Sequence, residues 1–242
     1  ARHGDALMAG PLSRVFWKVA LRANLLQATW NYERQQGVGW AYALQPVLEV
    51  LYPDAATRRA RLAEHTAYFN TQPTLASLAL GAVSRLEEQR AAGQGPDAAS
   101  MGRVKGVLGS TLAALGDRLF WFSLRPFAAG LGVLVALARP GSPAGAIALW
   151  CAYALPHLGM RFAGVGAGYE RGAGVLGGRL RDDLERFVTL LAYAGCITLG
   201  VATAVALAPG GEPRPIAVQS ALAGGLGIGL LSAQRARPSP TQ

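Results

Sequence analysis

The chain predicts an all-α, polytopic integral membrane protein. It has amphipathic, interfacial helices in its N-terminal part, a re-entrant or broken Gly-rich segment, and transmembrane helices toward its C-terminus. Three observations carry this reading. Hydrophobic residues make up 51% of the sequence and charged residues only 15%, whereas soluble domains carry about 25% charged residues. Residues 187–208 and 215–233 contain no charged side chain, and the first of these stretches is long enough to cross about 30 Å of hydrocarbon. Glycine is abundant, at 31 residues, as in helices that pack closely within lipid.

In chain order, Leu12, Val15, Phe16, Val19, Ala23, Leu26 and Trp30 recur at helical spacing, with Arg14, Lys18, Arg22 and Asn24 on the opposite face. This is an amphipathic helix with a basic face, suited either to the membrane interface or to ordinary packing. Residues 37–48 are apolar but shorter than a bilayer span, which predicts a buried or re-entrant segment. Residues 55–69 form a charged helix that ends before Pro73, since proline disfavours helix at the residue preceding it. Another helix covers 74–90. The Gly/Pro/Asp-rich stretch 91–100 reads as a turn or linker, dividing an N-terminal region, 1–100, from a membrane region, 101–242. Candidate spans in the latter are 119–138, 143–160, 187–208 and 215–233. The first of them places Arg125 inside an apolar segment.

The formal net charge is +9, carried mostly by arginine. The arginines lie between apolar runs, a pattern that fits cytoplasmic loops and anionic lipid headgroups better than a nucleic-acid surface. Arg161, Arg171, Arg179, Arg181 and Arg186 separate two candidate spans, and Arg235 and Arg237 lie in the tail. The positive-inside rule places both stretches in the cytoplasm, so a multi-pass membrane protein is expected. No cleavable signal peptide is expected, because Arg14 and Lys18 interrupt the first apolar stretch.

Cys151 and Cys196 each lie alone in an apolar run, which supports neither a disulfide framework nor a metal site. His3, His65 and His157 have no nucleophile or acid at recognisable spacing, and neither a P-loop nor an HExxH motif occurs. No catalytic centre, metal or cofactor is expected.

Two segments concentrate polar groups where apolar ones would be expected. Residues 104–126 hold Lys105, Asp117, Arg118 and Arg125 and are punctuated by Gly106, Gly109 and Gly116. An ionisable group costs about 2.5–3.5 kcal/mol on insertion into hydrocarbon, so it persists where it pairs, lines a cavity or serves transport. Asp117 and Arg125 are eight residues apart, which allows a shared helix face and therefore a structural ion pair or a functional one. In residues 27–42, Asn31, Glu33 and Gln36 offer hydrogen bonds and Trp30, Tyr32 and Trp40 offer apolar faces. That mixture suits sugar hydroxyls, and it also suits an interfacial aromatic belt.

Three blocks, WNYERQQGVGWAYALQPVL from Trp30, FNTQP from Phe69 and VKGVLGSTLAALGDRLFWFSLRPFAAGLG from Val104, together resemble the IID subunits of the mannose/fructose/sorbose family of phosphotransferase-system permeases. The resemblance runs from about Phe16 to Gly132 and continues more loosely, as hydropathy, to the C-terminus. It implies a non-catalytic membrane subunit that pairs with a IIC subunit in a hetero-oligomer. That complex moves a hexose across the inner membrane for phosphorylation by the cytoplasmic IIA and IIB components. Asn31, Glu33, Asn70, Asp117 and Arg125, taken from these blocks, are the expected sugar contacts. Lipid is a further partner; nucleic acid is not. Gln72 stands where the family usually has histidine, Arg118 where it has a small residue, and Phe122 where glycine is common. These departures leave open a non-transporting scaffold or sugar-sensing subunit with the same fold.

Overall fold

The computed structural model describes residues 12–206 and residue 225. The expected span 215–233 therefore lies outside the described residues, apart from residue 225, as do the last residues of 187–208. Among the described residues the fold is helical, with α1 (Ser13–Ala23), α2 (Gly37–Leu51), α3 (Ala55–His65), α4 (Ala76–Ala91) and α5 (Ala98–Gly116) first. A π-helical stretch (Asp117–Leu124), α6 (Arg125–Ala138), α7 (Ala144–Arg171), a 3₁₀ turn (Gly172–Leu176) and α8 (Gly178–Ala206) follow. The helices form two compact units, Ala1–Gly116 with His157–Arg181, and Asp117–Pro156 with Asp182–Gln242.

In the first unit α1 buries Phe16, Val19, Ala20 and Ala23, and leaves Arg14 and Lys18 in the open. Trp30, expected on the same apolar stripe, follows the helix in a turn and is exposed. The 37–48 segment is buried helix: Trp40, Leu44, Val47 and Leu48 of α2 have no exposure. Gly39 allows α2 to meet the chain at Leu26, whose carbonyl a β-carbon would strike. The start of α3 is capped by Asp54, whose Oδ2 accepts from the Thr57 amide at 2.7 Å. The 91–100 stretch joins α4 to α5 within this unit.

The centre of the first unit is α4, buried continuously from Ala76 to Ser84. The later half of α7 crosses it through small residues spaced by four on each helix. A β-carbon at Gly81 would strike the Val165 carbonyl, one at Gly168 the Leu78 carbonyl, and one at Gly164 the Ser77 side chain. This small-xxx-small pairing brings the backbones together, and the Ser77 hydroxyl donates to the Met160 carbonyl at 3.0 Å. Arg161 donates to the Ala23 carbonyl at 3.2 Å, at the end of α1.

The stretch 161–186, expected as an Arg-rich loop, is mostly helix: α7 runs on to Arg171 and α8 begins at Gly178. Only the short 3₁₀ turn separates them, entered through Gly172 at φ 54°, a conformation that favours glycine.

In the second unit glycines again mark the crossings. Gly130 meets Thr198 and Leu199 of α8, Gly195 meets Phe127 of α6, and Gly132 and Gly145 face each other between α6 and α7. The outward residues are apolar, among them Trp150, Leu155, Leu190 and Ile197. The Gly-rich segment is not severed. Residues 98–138 are continuously helical, and the interruption is the π-helical stretch, where the Ser123 hydroxyl donates to the carbonyl of Arg118, five residues back, at 2.8 Å. Among the described residues two helices, Ala98–Ala138 and Gly178–Val205, are long and apolar enough to cross a membrane.

Candidate functional site

Two of the polar sequence blocks are joined in the first unit. The turn after α1 closes on itself: the Arg34 amide donates to Asn31 Oδ1 at 2.8 Å and the Gln35 amide to the Asn31 carbonyl at 2.8 Å. Gln35 sits at φ 53°, an uncommon conformation for a residue with a side chain. It forms a parallel bridge to Phe69, flanked by hydrogen bonds from the Gln36 amide to the Phe69 carbonyl at 2.9 Å and from the Phe69 amide to the Arg34 carbonyl at 3.3 Å. The buried Gln36 side chain completes the join. Its Nε2 donates to the Thr71 carbonyl at 2.8 Å and its Oε1 accepts from the Thr71 amide at 3.0 Å.

Asn31, Glu33 and Asn70 all lie on this joined pair of loops. Asn31 is half-buried, and Glu33 and Asn70 are exposed. Glu33 pairs with the neighbouring Arg34 at 3.7 Å, a contact of little energetic weight at such exposure. Beside them, Trp30 and Tyr32 meet edge to face with ring centroids 5.0 Å apart, and both are exposed. The result is an aromatic surface next to an amide and a carboxylate.

Beneath the loops lies a buried charged network that the sequence reading did not assemble. Trp40 Nε1 donates to His65 Nδ1 at 3.4 Å, so the imidazole proton sits on Nε2, which faces Glu87 Oε1 at 3.2 Å. Glu87 Oε2 accepts from the Tyr52 hydroxyl at 2.7 Å. Arg90 lies 3.4 Å from Glu87 and 2.7 Å from Glu64, which Arg61 also holds at 2.6 Å. Lys105 donates to the His65 carbonyl at 3.2 Å and lies over the rings of Trp40 and Phe69, at 5.4 and 5.9 Å from their centroids.

The electrostatics follow from burial. Loss of water lowers the His65 pKa below its ordinary value, against the pull of the Glu87 hydrogen bond, and the Lys105 charge adds to the lowering. Burial works to raise the Glu87 pKa, but the His65 and Tyr52 hydrogen bonds and the Arg90 charge outweigh it, so Glu87 is held below the usual carboxylate range. Burial and the Glu87 bond raise the Tyr52 phenol above its usual value. Glu87 is thus a carboxylate and His65 a neutral imidazole.

Asp117 and Arg125 belong to the second unit, and both are exposed. Among the described residues they form no ion pair; Arg125 instead lies over the Trp121 ring, 5.0 Å from its centroid. Of the three departures from the family pattern, Gln72 has a clear local role. Its buried Oε1 accepts from the amides of Thr74 and Leu75 at 2.7 and 3.1 Å, closing the turn that leads into α4. Gly116 makes room for it, since a β-carbon there would strike the Gln72 side chain. Phe122 points outward and is 74% exposed, and Arg118 is half-exposed.

Among the described residues, a helical fold with two helices long and apolar enough to cross a membrane is the architecture of a membrane-protein type. The family model for the PTS system mannose/fructose/sorbose family IID component matches residues 13–208, and the chain belongs to that family. It is 36% identical over 177 residues to the PTS system mannose-specific EIID component of Escherichia coli (strain K12), covering 72% of this chain and 62% of that one. It is 33% identical over 184 residues to the sorbose-specific EIID component of Klebsiella pneumoniae, covering 75% and 65%. The chain thus spans somewhat less than two thirds of the length of these relatives. The cryo-EM structure of the mannose transporter ManYZ in complex with microcin E492 contains a chain that superposes with a TM-score of 0.62 at 34% identity, covering 78% of this chain and 69% of that one. A second solved structure, described as a membrane protein, superposes with a TM-score of 0.69 at 32% identity and the same coverage.

Proposed function

We propose that this chain works with a IIC membrane subunit to bind a hexose and carry it across the bacterial inner membrane, where IIB, recharged by IIA, phosphorylates it at the cytoplasmic face. The observation that carries the proposal is the joined pair of loops. An exposed aromatic pair, Trp30 and Tyr32, flanks Asn31 and Glu33, and the Gln35–Phe69 bridge ties that turn to Asn70. A pyranose presents hydroxyls around an apolar ring face, and it is recognised by amides and carboxylates set beside aromatic surfaces. Thr71 supports the same reading. Its hydroxyl is buried next to Asn70 without a protein partner among the described residues, and such a group is costly unless something satisfies it.

The sugar contacts in this proposal are Asn31, Glu33 and Asn70 on the joined loops of the first unit; Asp117 and Arg125, in the second unit, are proposed separately, each on its own test. The chain would cross the membrane several times, with its Arg-rich 161–186 stretch facing the cytoplasm. The test is uptake of labelled mannose by cells that express the chain with IIC, IIA and IIB components and lack their own mannose permease. Asn70→Ala and Asp117→Asn should each lower uptake at least tenfold while leaving co-purification with IIC intact. Unchanged uptake by a variant removes that residue from the site. Assembly without any uptake by the parent chain overturns the proposal in favour of a non-transporting scaffold.

A further inference from the structure

The outward side of α1 carries two parallel stripes of different chemistry. Trp17 and Leu21 on the helix, and Leu25 in the turn that follows it, recur every four residues and are 55%, 46% and 52% exposed. Arg14, Lys18 and Arg22 recur at the same interval one position along, so the cationic stripe runs beside the apolar one. Arg14 and Lys18 are exposed, while Arg22 is partly engaged by the Tyr42 carbonyl at 3.1 Å and by Gln45 at 3.2 Å. The opposite side of the helix is spent on the core through Phe16, Val19, Ala20 and Ala23. The exposed apolar stripe therefore serves no packing within the first unit.

The charge pattern selects what covers this face. No acidic residue occurs from position 12 to 32, so nothing local neutralises the three cations. An apolar row with a tryptophan, flanked by a cationic row and free of acids, matches the boundary of a bilayer, where acyl chains lie just beneath phosphates. A neutral headgroup would leave the cations without a counter-charge, whereas an anionic one attracts each of them. We infer that α1 is a recognition surface for anionic phospholipid, with Trp17, Leu21 and Leu25 dipping into the acyl boundary and Arg14 and Lys18 holding the headgroup phosphates. This surface is independent of the sugar contacts proposed above.

The test uses the full chain reconstituted with phosphatidylcholine and phosphatidylglycerol in equal amounts, with one or the other lipid brominated near the top of its acyl chains. The Trp17 signal is isolated as the difference between the parent chain and Trp17→Phe. Brominated phosphatidylglycerol should quench that signal roughly twofold or more beyond brominated phosphatidylcholine, and the preference should shrink at high salt. It should vanish in Arg14→Gln/Lys18→Gln, whose sites are exposed and whose fold is checked by circular dichroism. Equal quenching by the two lipids overturns the inference, since the face would then read hydrocarbon and not charge. Absence of quenching by either lipid also overturns it, by showing that protein covers the helix. A preference that survives the double substitution removes Arg14 and Lys18 from the assignment.

Discussion

Replacing Glu87 by alanine tests whether the buried network holds the first unit together. Glu87 has no solvent exposure and accepts from three donors: the Tyr52 hydroxyl at 2.7 Å, His65 Nε2 at 3.2 Å and Arg90 at 3.4 Å. Removing the carboxylate leaves His65 without its acceptor, the Tyr52 hydroxyl with only the Glu87 carbonyl at 3.4 Å, and Arg90 with only Glu64. Breaking a buried, hydrogen-bonded ion pair from one side costs about 3–5 kcal/mol. At roughly 2–4 °C per kcal/mol for a chain of this size, the melting temperature should fall by about 6 °C or more. Glu87→Gln keeps the shape and one acceptor oxygen, so its loss should be smaller, about 1–3 kcal/mol. The assay is thermal unfolding of the purified chain in detergent, followed by tryptophan fluorescence. A coupled measurement sharpens it. Tyr52→Phe alone should cost about 1.5–3 kcal/mol as a charge-assisted bond is lost, yet cost less in the Glu87→Ala background, where the carboxylate is already gone and only the longer contact to the Glu87 carbonyl, at 3.4 Å, remains. Additive losses, or a Glu87→Ala melting temperature within about 2 °C of the parent, would refute the network as a stabilising element.

Two further outcomes follow from the same geometry. The folded His65 pKa lies below its ordinary value of 6.5, so on acidification the unfolded chain takes up a proton that the folded chain refuses. Stability is full above about pH 6.5 and falls as pH drops below it; Glu87, also lowered, acts in the same direction below about pH 4.5. Melting temperature measured between pH 7.5 and 5.5 should decline with acid, and His65→Gln should flatten that slope. At the α4–α7 crossing, Gly168→Ala drives a β-carbon into the Leu78 carbonyl and should cost about 1–3 kcal/mol, as overpacking does, whereas alanine at the open Gly166 position should cost far less. Equal melting temperatures for the two variants would show that the helices are not in close contact.

The parts of the fold that follow from local pattern were legible in the sequence. The apolar face of α1, the buried character of residues 37–48, the break before Pro73 and the glycine-marked crossings of the second unit all depend on composition within a few turns. The parts that depend on distant partners were not. Positive-inside counting set Arg161 in a loop, whereas it lies within α7 and serves the Ala23 carbonyl. The π-helical stretch, within which the Ser123 hydroxyl reaches the carbonyl five residues back, is announced by no periodicity. His65 and Glu87 have no motif between them, because α3 and α4 bring them together only after folding. Tyr52 enters from the end of α2 and Lys105 from α5. The signal present in the sequence was a lysine in an apolar run. It was grouped with Asp117 by proximity in the chain, whereas its contacts are the His65 carbonyl and two aromatic rings.

The same contacts separate the residues that build the family's sequence blocks from those left to meet a ligand. In the block from Trp30, Gln36, Gly37, Gly39 and Trp40 are buried, joining the loops, admitting the backbone of α2 and capping the network through His65. In the block from Phe69, Phe69 itself lies beneath Lys105, Thr71 is clasped by Gln36, and Gln72 closes the turn that leads into α4. Once these roles are assigned, Trp30, Tyr32, Glu33, Arg34, Tyr42 and Asn70 are the exposed polar or aromatic letters, with Asn31 half-buried beside them. Under the proposed function, a change of sugar preference in this chain is expected to act through these accessible positions. The buried letters hold the loops in place, so changes among them should act first on stability. Exchanging Gln72 for the histidine usual in the family should thus shift stability, through the start of α4, more than sugar preference. A variant whose preference changed while its melting temperature did not would place Gln72 among the ligand contacts and reverse that division.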